Sequence, residues 1–161
     1  LENRMRLPTA VLEAVISVWG ADRVGIRLSP SGTFNDMHDS DPETTFGTFI
    51  DRLNGYGLAY LHLMDPSEAD LRHGGTALPA RQFRSRFSGA LMVNTDYDGS
   101  KADTALRNGE ADLVSFGRLF IANPDLPQRL GQSAPLNPPD VSTFYGGDAK
   151  GYTDYPAMSA T

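Results

Sequence analysis

The chain contains no cysteine, which removes disulfides, thiolate metal sites and a cysteine nucleophile from consideration. Positive charge is scarce: 14 Lys and Arg stand against 20 Asp and Glu, a net charge of −6 and a pI near 4.9. That balance argues against a nucleic acid or an anionic membrane as partner. No apolar run approaches the ~20 residues that span a bilayer, and no signal-peptide pattern opens the chain. A cytoplasmic protein is therefore expected. The phosphate P-loop, the Rossmann glycine fingerprint and the nucleophile elbow are all missing. Three histidines, His38, His62 and His73, lack metal-ligand spacing, so no metal is expected. The acidic stretch from Asn35 to Asp41 has the wrong spacing for a calcium loop and reads as solvated loop. Ser115 has no candidate base near it in sequence, which argues against a serine nucleophile.

What remains is an ordinary apolar pattern over 161 residues, the length of one domain, and residues 1–161 are taken as one unit. The first residues, Leu1-Glu-Asn-Arg-Met-Arg-Leu, bring neither an initiator methionine nor an N-cap, so the chain is expected to begin inside a larger structure. A helical period over residues 1–20 puts Leu7, Val11, Leu12, Val15, Ile16 and Trp19 on one stripe, with Gly20 as its stop. Four short apolar runs follow: 23–30, 58–64, 90–94 and 113–116. Helices are expected between them, one capped by Asp41 with Pro42 at its first position and running to Asn54-Gly55. A long polar loop containing Gly74-Gly75 leads to a short helix over 79–87, and another helix covers 101–108. Near-continuous apolar strands alternating with helices indicate a parallel sheet. Two architectures satisfy the pattern, an open doubly wound sheet or half of an eight-stranded barrel. A complete barrel typically needs about 250 residues.

Both architectures bind ligands at the carboxyl ends of the strands. Those ends are Arg27–Pro30, His62–Asp65, Asn94–Tyr97 and Ser115–Arg118. Gly117-Arg118 combines close backbone approach with a planar, permanently charged fork, which suits a phosphate ester. In barrel enzymes the loops after the last two strands often hold a phosphate, and Thr95–Tyr97 with Gly117-Arg118 would occupy those places. Arg27 is unusual inside so apolar a strand. It reads either as half of a buried ion pair or as a cation beside a ligand that gains negative charge. His62 reads as a hydrogen-bonded interior histidine.

These segments together resemble one family. Glu2-Asn-Arg, Val24-Gly-Ile-Arg-Leu-Ser-Pro30, Leu58-Ala-Tyr-Leu-His62, Phe116-Gly-Arg118 and Ile121-Ala-Asn-Pro-Asp-Leu126 look like the old yellow enzymes. Pro135-Leu-Asn137, Thr143-Phe-Tyr-Gly-Gly147 and Gly151-Tyr-Thr-Asp-Tyr-Pro156 extend the match almost to the end. The resemblance implies an α/β fold, the carboxyl-terminal half of a (β/α)8 TIM barrel with four parallel strands and their helices. It implies FMN as cofactor and NAD(P)H as reductant, with activated alkenes, nitro compounds or nitrate esters as substrates. The barrel would be completed by its amino-terminal half as a separate or cleaved chain. By position, Arg27 would support charge at the flavin pyrimidine edge. Gly117, Arg118 and the Thr95–Asp96 backbone would cradle the phosphate, and Ser115 would add a backbone contact. Phe144 and Tyr145 would flank the flavin, Tyr145 also facing the substrate. Many relatives carry glycine where this chain has Thr95, so an Asp96 carboxylate must point away from the phosphate. The proton donor and substrate anchors would belong to the other half, leaving no catalytic group here. The competing expectation is a non-catalytic half-barrel that pairs with itself and binds a phosphate-bearing ligand.

Overall fold

A computed structural model describes residues 1–159, which form two compact units, one over Leu1–Ser115 and one from Phe116 onward. In the first unit, the four strands β1 (Gly25–Leu28), β2 (Tyr60–Met64), β3 (Leu91–Asn94) and β4 (Leu113–Val114) form one sheet in chain order, every neighbouring pair parallel. Helix α1 (Glu2–Trp19) precedes β1. The crossovers carry α2 (Pro42–Leu53), then α3 (Glu68–Arg72) with a 3-10 turn over Ala80–Arg86, then α4 (Gly99–Arg107). Sequential parallel order with a helical crossover at each step is the arrangement of half a (β/α)8 barrel, as expected.

Sheet pleating sorts the side chains into two faces. Leu61, Leu63, Leu91 and Val93 point one way and are essentially inaccessible, packed with Phe49, Ile50 and Leu53 of α2, Met5 and Leu12 of α1, and Phe83 and Phe87. Tyr60, His62, Met64, Met92 and Asn94 alternate with them and are only half-buried. The core is therefore one-sided. Only the helix-facing side of the strands is buried. Close approach explains Gly25: a Cβ there would run into the ring of Tyr60, its register partner on β2.

Helix α2 follows the sequence reading. Asp41 Oδ1 accepts from the Thr44 amide at 3.2 Å, Pro42 opens the helix, and Phe49, Ile50 and Leu53 face the core. Helix α4 is capped by Asp98, which accepts from the Lys101 amide at 2.7 Å. Helix α1 departs from expectation. Its buried residues are Met5 and Leu12, whereas Leu7, Val11 and Trp19 are 71%, 54% and 64% exposed. The helix has turned so that only part of the apolar stripe meets the sheet, and polar ties fix that orientation. Glu2 pairs with Arg52 at 2.6 Å, Arg4 with Asp39 at 2.8 Å, and Tyr56 donates to Glu13 at 2.7 Å. The polar loop expected after β2 contains α3, whose capping box the sequence reading missed. Ser67 Oγ accepts from the Asp70 amide at 3.1 Å while Asp70 Oδ2 accepts from the Ser67 amide at 3.0 Å.

The second unit carries α5 (Arg118–Ala122), α6 (Leu126–Gly131) and a 3-10 turn over Val141–Thr143. Buried polar side chains staple it. Arg129, 6% exposed, pairs with Asp125 at 2.7 Å and donates to the carbonyls of Pro135 at 2.5 Å and Pro156 at 2.9 Å. Asn123 accepts from the Asn137 amide at 2.7 Å, and Asn137 donates onward to the carbonyl of Ala122 at 2.8 Å. Buried polar groups satisfied this fully hold a loop-rich segment in one conformation. Among the described residues no helix is long and apolar enough to cross a membrane.

Candidate cofactor site at the strand ends

The open face of the sheet carries Arg27 and His62, with Ser115 just beyond the end of β4. Arg27 is exposed, and its Nη2 donates to Met64 Sδ at 2.9 Å, with Ser29 Oγ donating to the same sulfur at 3.2 Å. A thioether is a weak acceptor and carries no charge. Among the described residues Arg27 has no carboxylate partner, which rules out the buried ion pair considered above. Its charge is uncompensated on the open face.

His62 sits beside Arg27 in register. Its Nε2 lies 3.1 Å from Ser115 Oγ, so the interior hydrogen bond expected for it exists. Burial first, and then the neighbouring Arg27 charge, push the imidazole below the ordinary histidine range. At neutral pH it is uncharged. Ser115 and His62 are 53 positions apart in sequence, which is why no base was visible near the serine. The signal that could have found the pair is parity: in a parallel sheet, residues matched in register or offset by two share a face.

Ser115 follows β4 directly. The sequence reading ran this strand to Phe116, whereas ladder pairing stops at Val114. The Ser115 amide donates to the Val93 carbonyl at 2.9 Å, and its own carbonyl accepts from Asn94 Nδ2 at 2.7 Å. Its one backbone donor is thus occupied. The backbone contact open to Ser115 is through the second lone pair of its carbonyl.

At the end of β3, Thr95 and Asp96 both adopt positive φ, 95° and 52°. Left-handed backbone at two successive non-glycine residues is costly, most of all for β-branched Thr95. Thr95 Oγ1 is also buried without a hydrogen-bond partner. Asp96 is exposed, and its carbonyl accepts from Lys101 Nζ at 3.2 Å while that ammonium sits 4.2 Å over the Tyr97 ring. Tyr97 donates to Asp65 Oδ2 at 2.7 Å, and burial followed by that carboxylate raises its phenol above the ordinary tyrosine range. Asp65 Oδ1 in turn accepts from the Ala80 amide at 2.6 Å. A shallow cleft of about 340 Å³ beside these groups is lined by Arg81, Lys101 and Thr104. It lies against α4 and includes none of the expected cofactor residues.

In the second unit, Gly117 and Arg118 are exposed at the start of α5, and a Cβ at Gly117 would meet nothing within 4 Å. Phe144 is half-buried and accepts at its carbonyl from Tyr152 OH at 2.9 Å. Tyr145 is 91% exposed.

Known proteins resemble the chain in both sequence and fold. The profile of the NADH:flavin oxidoreductase / NADH oxidase family matches residues 1–137. The chain belongs to this family. Among curated relatives of the flavin oxidoreductases, 12-oxophytodienoate reductase 1 of Oryza sativa subsp. japonica is 44% identical across 98% of this chain and 42% of its own length. Among solved structures of the family, morphinone reductase superposes with a TM-score of 0.90 at 45% identity, covering 98% of this chain and 42% of that one. The old yellow enzyme from Trypanosoma cruzi gives a TM-score of 0.88 at 36% identity over 96% and 40%. The old yellow enzyme resemblance is thereby borne out, and the chain spans about half the length of the curated relatives it matches.

Proposed function

We propose that residues 1–161 are the carboxyl-terminal half of a flavin barrel, and that the completed barrel is an FMN-dependent reductase working in the cytoplasm. Its reductant is NAD(P)H. Its substrates are activated alkenes, α,β-unsaturated carbonyls above all, or nitro and nitrate-ester compounds. The observation that carries the reading is the superposition on morphinone reductase at a TM-score of 0.90 across nearly the whole chain. Its relatives are named for 12-oxophytodienoate and morphinone reduction, and morphinone reductase has been captured with tetrahydroNAD.

The residues present suit FMN. The group is a phosphate ester joined to an electron-accepting ring, so it needs donors at one end and a cation at the other. Thr95 keeps an orphaned buried hydroxyl in a strained turn, Gly117 leaves open space where a Cβ would stand, and Arg27 has an uncompensated charge. Bound FMN would supply the hydride relay between nicotinamide and substrate. The Arg118 guanidinium and the Gly117 amide would hold the phosphate, and the Thr95–Asp96 backbone would add donors to it. Arg27 would support the ring edge, since a fixed cation there favours the electron-rich reduced form. Ser115 would contribute its carbonyl. Phe144 and Tyr145 would flank the ring, with Tyr145 toward the substrate. No group of this chain donates the proton; that role belongs to the amino-terminal half.

The one-sided core supports a partner. Tyr60, Met64, Met92 and Leu113 leave apolar surface on the open face, and β1 and β4 each lack a second neighbour among the described residues. Exposed edges and apolar patches of this kind invite pairing. An amino-terminal half, separate or cleaved, would cover them.

Intact mass and gel analysis of the purified protein, together with its visible spectrum, test the reading. The expected result is a second, amino-terminal polypeptide, flavin absorbance, and NADPH oxidation that depends on added 2-cyclohexenone. A colourless homodimer that gains nothing from FMN would sink the reductase and return the self-associating half-barrel.

A further inference from the structure

Between Asn94, the last residue of β3, and Asp98, the cap of α4, stand Thr95, Asp96 and Tyr97. Both ends of this turn are anchored. The Asn94 carbonyl accepts from the Asp65 amide at 3.0 Å, and the Asp98 carboxylate from the Lys101 amide at 2.7 Å. Anchored ends do not dictate two successive left-handed residues, and backbone of that kind persists only where its surroundings over-determine it. Thr95 does not help, since its hydroxyl has no partner. The holding comes from Tyr97 and Lys101. The Tyr97 hydroxyl donates to Asp65 Oδ2 at 2.7 Å, and Asp65 is held at its other oxygen by the Ala80 amide at 2.6 Å. Lys101, in the first turn of α4, reaches back to donate to the Asp96 carbonyl at 3.2 Å and covers the Tyr97 ring at 4.2 Å. One ring is thus pinned at its hydroxyl by the exit of β2 and on its face by α4. The amides of Thr95, Asp96 and Tyr97, meanwhile, have no acceptor among the described residues. Successive free amides in such a turn are what binds an anion.

We propose that Tyr97 and Lys101 are positioning residues for the phosphate turn: through the Tyr97 ring and the Asp96 carbonyl they hold Thr95 and Asp96 in the left-handed conformation that presents the turn's amides. Asp65 is their anchor. The inference rests on the phosphate role proposed above for the Thr95–Asp96 backbone. Every residue in it belongs to the first unit, and neither Tyr97 nor Lys101 touches a reacting atom.

The experiment compares FMN with riboflavin, which has the ring and lacks the phosphate. Dissociation constants for both are read from flavin fluorescence in the protein as isolated, after removal of its flavin, and in its Tyr97→Phe, Lys101→Met and Lys101→Arg variants. Each of the first two removes one tie to the turn. FMN binding should weaken about three- to tenfold in both, as expected for the loss of one hydrogen bond. Riboflavin binding should stay within about twofold of wild type, since the turn is invoked for the phosphate alone. Lys101→Arg keeps a cation over the ring and should retain most of the FMN affinity. Equal weakening of FMN and riboflavin in Tyr97→Phe overturns the positioning role. Loss of FMN in one of the two variants but not the other overturns the shared role, and if Lys101→Met is that one, the ammonium is itself the phosphate ligand. Wild type that binds FMN no more tightly than riboflavin removes the phosphate reading first. Wild type that prefers FMN, with variants that keep the full preference, sinks only this inference. Tyr97→Phe deletes a single oxygen and Lys101 is exposed, so both variants should fold.

Discussion

Replacing Thr95 by glycine should make this protein more stable, which is the opposite of what most substitutions do. Thr95 has a φ of 95°, outside even the left-handed helical well, and Asp96 follows at 52°. A β-branched residue held in such backbone costs about 1–3 kcal/mol. The buried, partnerless Oγ1 adds a desolvation penalty of about 1–3 kcal/mol. Glycine removes both. Against this stand roughly 1 kcal/mol of extra unfolded-chain entropy and roughly 1 kcal/mol of lost methyl burial. At mid-range the balance favours glycine by about 2 kcal/mol, a rise in Tm of about 4–8 °C for a chain of this size. Thr95→Ala separates the two penalties, because it deletes the hydroxyl and keeps the Cβ that the backbone strains against. Its Tm should lie between wild type and Thr95→Gly.

Thermal melts followed by circular dichroism give the ranking, and flavin fluorescence on the same samples gives FMN affinity. Since only backbone donors of this turn are invoked for the phosphate, Thr95→Gly should bind FMN at least as tightly as wild type. A lower Tm for glycine than for alanine would refute the strain argument. Tighter folding with lost FMN binding would mean that the threonine hydroxyl is itself the phosphate ligand.

Arg118→Ala should weaken FMN about ten- to hundredfold, the worth of a charge-assisted hydrogen bond, read by flavin release on dilution. Arg27→Ala should slow flavin reduction by NADPH more than it weakens flavin binding, and stopped-flow traces at the wild-type rate would count against the ring-edge role. His62 titrates lower in the folded chain than in the unfolded one, where its pKa is about 6.5. The unfolded state therefore binds more protons below that pH, and stability should fall as pH drops from about 6.5 toward the folded pKa, with no dependence on this group above it. The slope has a ceiling of about 1.4 kcal/mol per pH unit and will be less at a half-buried site. Urea midpoints across pH 5–8 measure it (an assay window about the histidine range), and His62→Gln should flatten the curve. Arg129→Ala strips the bonds to Asp125, Pro135 and Pro156, so limited proteolysis should cut residues 135–158 sooner than in wild type.

The sequence was most legible where one local rule decided the outcome. Asp41-Pro42 announced its helix because an N-cap needs only a side-chain oxygen and a backbone amide three residues on, whereas α4 begins at Gly99 under an Asp98 cap, two residues before the expected Lys101. The four strands stood out because parallel strands are apolar throughout. What failed was orientation. Helix α1 has apolar residues on more than one side; Met5 and Leu12 enter the core while Leu7, Val11 and Trp19 stay exposed. No periodicity reports that choice. Arg27 was half legible: its oddness was visible, but the absence of a carboxylate partner and the contact with Met64 depend on the β1–β2 register. The His62–Ser115 bond was hidden for the same reason, since sequence distance says nothing about which strands lie side by side.

The open face and the strained turn are two expressions of one condition. Folding normally removes orphaned hydroxyls and left-handed threonines, because each costs on the order of 1–3 kcal/mol against a net stability of only 5–15. This chain keeps both at the carboxyl end of β3, and leaves Arg27 without a carboxylate partner among the described residues at that of β1. Elsewhere in the first unit Asp65, Asp70 and Asp112 are each matched to amide or hydroxyl donors, while Thr9 Oγ1 is also buried without a partner and Asn35 and Asp36 also take positive φ. Unsatisfied groups gathered at the end of a sheet where parallel folds bind their ligands are what a cofactor of opposite charge would relieve. If FMN is that cofactor, the stabilisation it brings follows its affinity, so it should raise the melting temperature of Thr95→Gly at least as much as that of wild type. A clearly smaller shift in Thr95→Gly would mean that the threonine itself takes part in holding the flavin.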